Sequence, residues 1–343
     1  MLERTIRQYS TYVVGLTGIL LFTSTSLAAP ANTQISGTVE GEFTFGEDVN
    51  GVSSSNIALA TAEVALDADL SEWVSAHLLL LHEEDDTPLE VDEGIIEFGN
   101  SFLSAFSLQL GQLYVPFGAY ETNLISDPLT LEIGEARESA AVIRYDNRFK
   151  FAVYLFNGDI NKADTDDAID NFGITLGYLY EGEDLSIELS LGLINNIGES
   201  DGLSGVITEN LPDSSVVEYV SAITSHLIIE WGPLVFISEL VAANDEFAAG
   251  EIYQNRASKP SASNLEVAYN INDTFSVAAA VQQSVDVSGI LPETRTLFGI
   301  GYTLNASTSL ALEFSIDTDY GTNSPNGTGQ SASNMTLQLS TAF

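Results

Sequence analysis

The sequence predicts an all-β fold, a transmembrane antiparallel β-barrel of about sixteen strands whose third long loop folds into the lumen. Three observations predict it. Apolar and polar residues alternate with a period of two in segment after segment, which puts apolar side chains on one face of each strand. The connections alternate between tight turns and long polar loops, as they do in barrels that cross an outer membrane. Beyond the N-terminal region, no apolar run is long enough for a transmembrane helix.

The elements follow in chain order. Arg4 and Arg7 form a basic start, an apolar stretch runs from Tyr12 to Phe22, and the small residues Ser26, Leu27 and Ala28 follow. That layout predicts a signal peptide over 1–28 and a barrel over 29–343, with export to the outer membrane. Sixteen alternating segments start near 34, 57, 73, 90, 102, 139, 149, 171, 185, 217, 234, 263, 275, 294, 308 and 334. Leu185, Ile187, Leu189, Leu191 and Leu193 share one face, for example, and Ser186, Glu188, Ser190 and Gly192 the other. Tight turns are expected at 69–71, 99–101, 146–148, 182–184, 231–233, 272–274 and 305–307. The longer loops are expected at 46–55, 82–89, 115–138, 157–169, 195–216, 245–262, 286–293 and 318–332. Aromatics gather near strand ends, among them Trp73, Phe98, Phe102, Phe149, Tyr178, Trp231, Phe275 and Tyr302, where interfacial girdles form. The chain ends on Phe343, with Met335, Leu337 and Leu339 alternating back from it. A terminal aromatic on such a strand resembles the signal that barrel-assembly machinery reads.

Charge narrows the partners. The 343 residues carry 10 Lys+Arg against 49 Asp+Glu, a formal net charge of −39, which excludes nucleic acid because phosphates would be repelled. With no Cys there is no disulfide framework and no thiolate metal site. His77, His82 and His226 are the only histidines, and no G-x-S-x-G or H-E-x-x-H pattern accompanies them, so no enzyme is expected. The acidic run Asp159 to Asp167 lacks the ligand rhythm of an EF-hand, so neither a metal site nor a cofactor is expected. Acidic outer loops would instead meet the divalent cations that bridge lipopolysaccharide.

With apolar faces to the lipid, Glu40, Glu42, Glu63, Glu97, Glu188, Glu239, Glu266 and Glu313 point inward, since a carboxylate is costly in hydrocarbon. They make either a generic polar wall or a pore whose field favours cations and neutral solutes. The third long loop is apolar over much of its length, which predicts that it packs inside the barrel. Tyr120, Glu121, Asn123, Asp127, Glu132, Glu135, Arg137 and Arg144 are then candidates to narrow the channel and meet the solute; the other reading is a loop packed on the rim.

Gly111 to Gly118, G-Q-L-Y-V-P-F-G, followed by Glu121 to Glu135, E-T-N-L-I-S-D-P-L-T-L-E-I-G-E, resembles the siderophore porins of the LbtU family. The P-F-G piece alone is also similar to phosphate-selective porins, whose basic ladder this chain lacks. The resemblance implies a barrel that passes a ferric siderophore by TonB-independent diffusion. The first strand begins close after the expected cleavage site, so no plug domain is expected. Two other readings stay open at this point, a general cation-preferring porin and a structural or adhesive surface barrel. Sixteen strands also suggest, by analogy, a homotrimer.

Overall fold

A computed structural model describes residues 33–84, 88–99, 105–163, 169–211 and 213–343. The expected signal peptide, Phe102 and positions 164–167 of the acidic run lie outside these residues.

Sixteen antiparallel strands close into one barrel. They are β1 (Thr33–Glu47), β2 (Ser53–Ser71), β3 (Val74–Glu83), β4 (Glu90–Gly99), β5 (Phe106–Tyr114), β6 (Arg137–Tyr145), β7 (Phe149–Asn157), β9 (Asn171–Glu181), β10 (Leu185–Ile194), β12 (Ala222–Trp231), β13 (Leu234–Ala243), β14 (Ser261–Asn270), β15 (Phe275–Val285), β16 (Thr294–Asn305), β17 (Thr308–Thr318) and β18 (Ser331–Ala342). Two further strands, β8 (Asn161–Lys162) and β11 (Ser215–Val216), pair in parallel within the loops. Neighbours in sequence are neighbours in the wall, and β1 pairs with β18 to close it. Closure leaves no sheet edge, the condition for strands to cross a bilayer.

The alternation sets the two faces. On β10, Leu189, Leu191 and Leu193 are exposed outward, while Ser190 between them is buried. The same outward exposure holds for Phe43 and Phe45 on β1, Leu265 and Val267 on β14, and Phe314 and Ile316 on β17. This apolar belt calls for hydrocarbon around it, so the barrel is membrane-spanning. Aromatics ring the tight-turn end: Phe106 packs on Tyr145 at 4.7 Å, Phe149 on Tyr178 at 5.1 Å and Phe275 on Tyr302 at 4.8 Å. Trp73 and Trp231 are exposed there beside their turns.

At the other end the interior is filled. Leu113, Phe117, Leu129, Ile133, Tyr154, Phe156, Ile194, Ile197, Leu203, Ile207, Val241 and Phe247 form one buried apolar cluster. It joins the inner wall to the third and later long loops, so the core lies inside the barrel.

Some boundaries differ from the periodicity. The segment expected near 217 enters the wall only at Ala222, because Ser215–Val216 pairs with Asn161–Lys162 instead. The second strand starts at Ser53, before its apolar alternation begins, and carries a run of exposed residues. The fifth long loop holds a helix, α2 (Asp201–Asn210), that its Gly, Ser and Thr content did not suggest.

Candidate functional site

The third long loop, 115–136, leaves β5, crosses the lumen and returns to β6, with one helical turn, α1 (Leu129–Glu132), on the way. Its first part packs along the wall: Thr175 of β9 donates to the Pro116 carbonyl, and Gly192 of β10 leaves room for Phe117. Its middle is held by three glutamates projecting from the far wall. Glu239 of β13 accepts from the backbone N–H of Ala119 (2.9 Å) and Tyr120 (3.2 Å) and from Thr130 Oγ1 (2.8 Å). Glu266 of β14 accepts from Thr122 Oγ1 (2.6 Å) and from the backbone and side-chain nitrogens of Asn123 (2.7 and 2.9 Å). Glu313 of β17 accepts from the N–H of Ile125 (2.6 Å) and Ser126 (3.1 Å) and from Ser126 Oγ (2.5 Å). Gln282 of β15 accepts from the Leu129 N–H at 3.1 Å.

These bonds answer two local problems at once. A loop inside a barrel has backbone N–H groups with no ladder partner, and a buried carboxylate needs donors. Each solves the other. A charge-assisted bond of this kind is worth about 1.5–3 kcal/mol net, so several together fix the loop firmly.

Tyr120 sits at the bend with φ 52° and is buried. Its ring lies against Gly118 and Gly134; a Cβ at either would stand 2.3 or 2.4 Å from the phenol, so neither position accepts a side chain. Glu121 is half-buried near the Lys150–Glu188 pair (2.6 Å); burial, then the fields of Glu188, Glu239 and Glu230, pushes its carboxyl up to about 7. Asp127 and Glu132 are exposed on the loop. Glu135 is buried, and its carbonyl accepts from the Asp201 N–H at 3.0 Å, tying the fifth loop to the third. Gly202 of α2 meets the Glu132 carbonyl so closely that a Cβ would stand 2.6 Å from it.

The expected residues therefore divide. Arg137 stands at the loop's root, bound to Glu90 (2.7 Å) and Asp92 (2.8 Å). Arg144 lies deeper on β6, where its Nε donates to Gln109 at 2.8 Å, and Gln109 donates to Glu97 at 2.7 Å. Glu40 and Glu42 share Gln338 of β18, at 3.4 and 2.8 Å. Glu63 is half-buried on β2, and Glu188 pairs with Lys150. Glu239, Glu266 and Glu313 differ from a wet lumen wall: they are 3, 1 and 2% exposed, because the loop covers them. Residues outside the expected set also take part, notably Gln282, Thr122, Thr130 and Asp92. The signal for Gln282 was present as register: His226, Glu239, Asn264 and Gln282 are successive cross-strand partners on the inner face of β12 to β15.

No known protein-family profile matches the chain. It is 27% identical over 304 residues to a UPF0422 protein of Coxiella burnetii, an alignment covering 84% of this chain and 64% of that protein. A UPF0422 protein of Legionella pneumophila is 22% identical over 362 residues, covering 90% of this chain and 66% of the other. The chain thus spans a little under two thirds of the length of these relatives. Among solved structures, an anion-selective porin from Comamonas acidovorans superposes with a TM-score of 0.65 at 12% identity, covering 91% of this chain and all of that one. The outer-membrane channel DcaP of Acinetobacter baumannii gives 0.63 at 13% identity, covering 94% and 100%. A trimer form of OmpT, an outer-membrane protein of Vibrio cholerae, gives 0.56 at 13% identity, covering 91% and 99%. At these identities the likeness is one of fold: the chain has the sixteen-strand barrel of outer-membrane porins.

Proposed function

We propose that this barrel is a passive outer-membrane channel for a small solute, with the third loop as its constriction. One observation carries the reading: a loop pinned across the lumen by Glu239, Glu266 and Glu313, in a barrel with an apolar belt and polar inner wall. A loop held at so many points narrows a passage at a fixed width.

The solute we favour is a ferric siderophore, moving without TonB. Support comes from Gly111 to Glu135, the stretch that resembles the siderophore porins, which runs from the end of β5 through the crossing loop. A second reading, a general cation-preferring channel, is favoured by the acidic inner wall and the net charge of −39. Delivery by a signal peptide, insertion by barrel-assembly machinery, lipopolysaccharide around the acidic loops and a homotrimeric assembly complete the proposal.

Planar-bilayer recording of the purified chain under a salt gradient, with and without a ferric siderophore on one side, tests it. Open single-channel steps that the siderophore reduces are expected. Steps indifferent to the siderophore would remove that solute and leave the general channel. No steps at all would overturn the channel reading and favour a structural barrel.

A further inference from the structure

The inward glutamates look alike in the strand pattern, yet the fold uses them in two ways. Glu239, Glu266 and Glu313 are buried, and their oxygens accept from amides and hydroxyls of the third loop. A carboxylate has about four acceptor positions, and these donors take most of them. Amide dipoles thus compensate each charge, and the loop stands between it and lumen water.

Glu40, Glu42, Glu63 and Glu97 are half-buried on β1, β2 and β4. The loop's bonds run to β9, β13, β14, β15 and β17, so it is drawn toward the other side of the barrel. The inner face of β1, β2 and β4, with Glu40, Glu42, Glu63 and Glu97, is the wall on the side away from these bonds. Of the basic groups along β3 to β6, His77 and Arg137 face carboxylates, while Arg144 bonds the neutral Gln109 and keeps its charge. His77 Nδ1 is 2.7 Å from Asp67 and its Nε2 3.4 Å from Glu93, Arg137 is bound to Glu90 and Asp92, and Arg144 donates to Gln109.

We infer that charge selection in this lumen is one-sided: Glu40, Glu42, Glu63 and Glu97 select for cationic or neutral solutes, and Glu239, Glu266 and Glu313 shape the aperture without setting its selectivity. The inference rests on the channel reading above. It also narrows the solute. An iron chelate that is neutral or positive at neutral pH passes this face, and a strongly anionic one is held back.

Reversal potentials in a potassium chloride gradient test it on the full chain in planar bilayers. The fourfold variant E40Q/E42Q/E63Q/E97Q is expected to form open channels and lose cation preference, with the permeability ratio of K⁺ to Cl⁻ falling by at least about threefold. Glu266→Gln weakens a clamp and is expected to change step size or noise while leaving that ratio within about 1.5-fold. A fourfold variant with an unchanged ratio, or a Glu266→Gln ratio that falls as far as the fourfold variant's, would overturn the inference. If Glu266→Gln fails to assemble, the fourfold variant decides alone. A conducting wild type with no cation preference would also overturn it, whereas a silent wild type defeats the channel reading instead.

Discussion

The Glu199 carboxylate accepts from the backbone N–H of Asp159 (2.9 Å) and Ile160 (3.2 Å) and from the side-chain nitrogen of Asn196 (2.9 Å), at 3% exposure. Glu251 does the same for Val217 (2.7 Å) and Ala248 (2.5 Å), and Asp319 for Tyr320 and Thr328 (both 2.7 Å). In a chain with so few cations, backbone amides take the place of lysine and arginine as carboxylate partners. The arrangement has a titration consequence. Burial outweighs the amide bonds and raises Glu199 to about 7, so the folded loops hold its proton more tightly than the unfolded chain does. Loop stability is therefore greatest below the ordinary carboxylate range. It falls as pH rises toward 7, by up to on the order of 3 kcal/mol, and levels off above. Hydrogen exchange at the Asp159 and Ile160 amides, corrected for intrinsic rate, should be slower at pH 5 than at pH 8. Glu199→Gln should flatten that difference; a flat wild-type profile would refute the assignment.

At the scale of elements, the third loop is held from below by wall glutamates and from above by the fifth loop, through Asp201 to Glu135 and the close seat of Gly202 on Glu132. Gly202→Leu forces α2 away from α1. In bilayers it should broaden current noise, while the strand signal in circular dichroism stays as in the wild type. Quiet steps would mean that the wall alone fixes the loop. The strand elements were legible because an apolar residue facing lipid and a polar one facing inward leave a period of two, as at Leu189, Ser190 and Leu191. The inner fill was not. Tyr154, Phe156, Ile194 and Val241 face inward and are apolar, so the alternation there gives no sign of which face meets lipid. Glu266 and Glu63 are also indistinguishable in the pattern, because what buries Glu266 is a loop more than a hundred residues away in the chain. Helix α2 was hidden for a simpler reason: two glycines in ten residues give it little intrinsic propensity.

For the whole molecule, the wall is completed where the Phe343 N–H donates to the Gly37 carbonyl (3.0 Å) and the Gly37 N–H donates back to Phe343 (3.1 Å). Deleting Phe343 removes both bonds, each worth about 1 kcal/mol, at the one seam that joins the two ends of the barrel. The share of heat-modifiable, folded barrel on semi-native gels should fall by about tenfold in outer membranes. Unchanged yield would show that the seam closes without its last residue.

The clamps on the third loop also dictate a chronology. Ile125 is fixed by Glu313, 188 positions later, and Asn123 by Glu266, 143 positions later. A chain emerging from its N-terminus has made the loop long before it has made what holds the loop, and contacts so distant in sequence form late. Before β17 arrives the sheet is still open at its seam and the loop lacks its Glu313 clamp, so the eyelet is threaded only when the last hairpins close the wall. Narrowing of the lumen is then a mark of maturity.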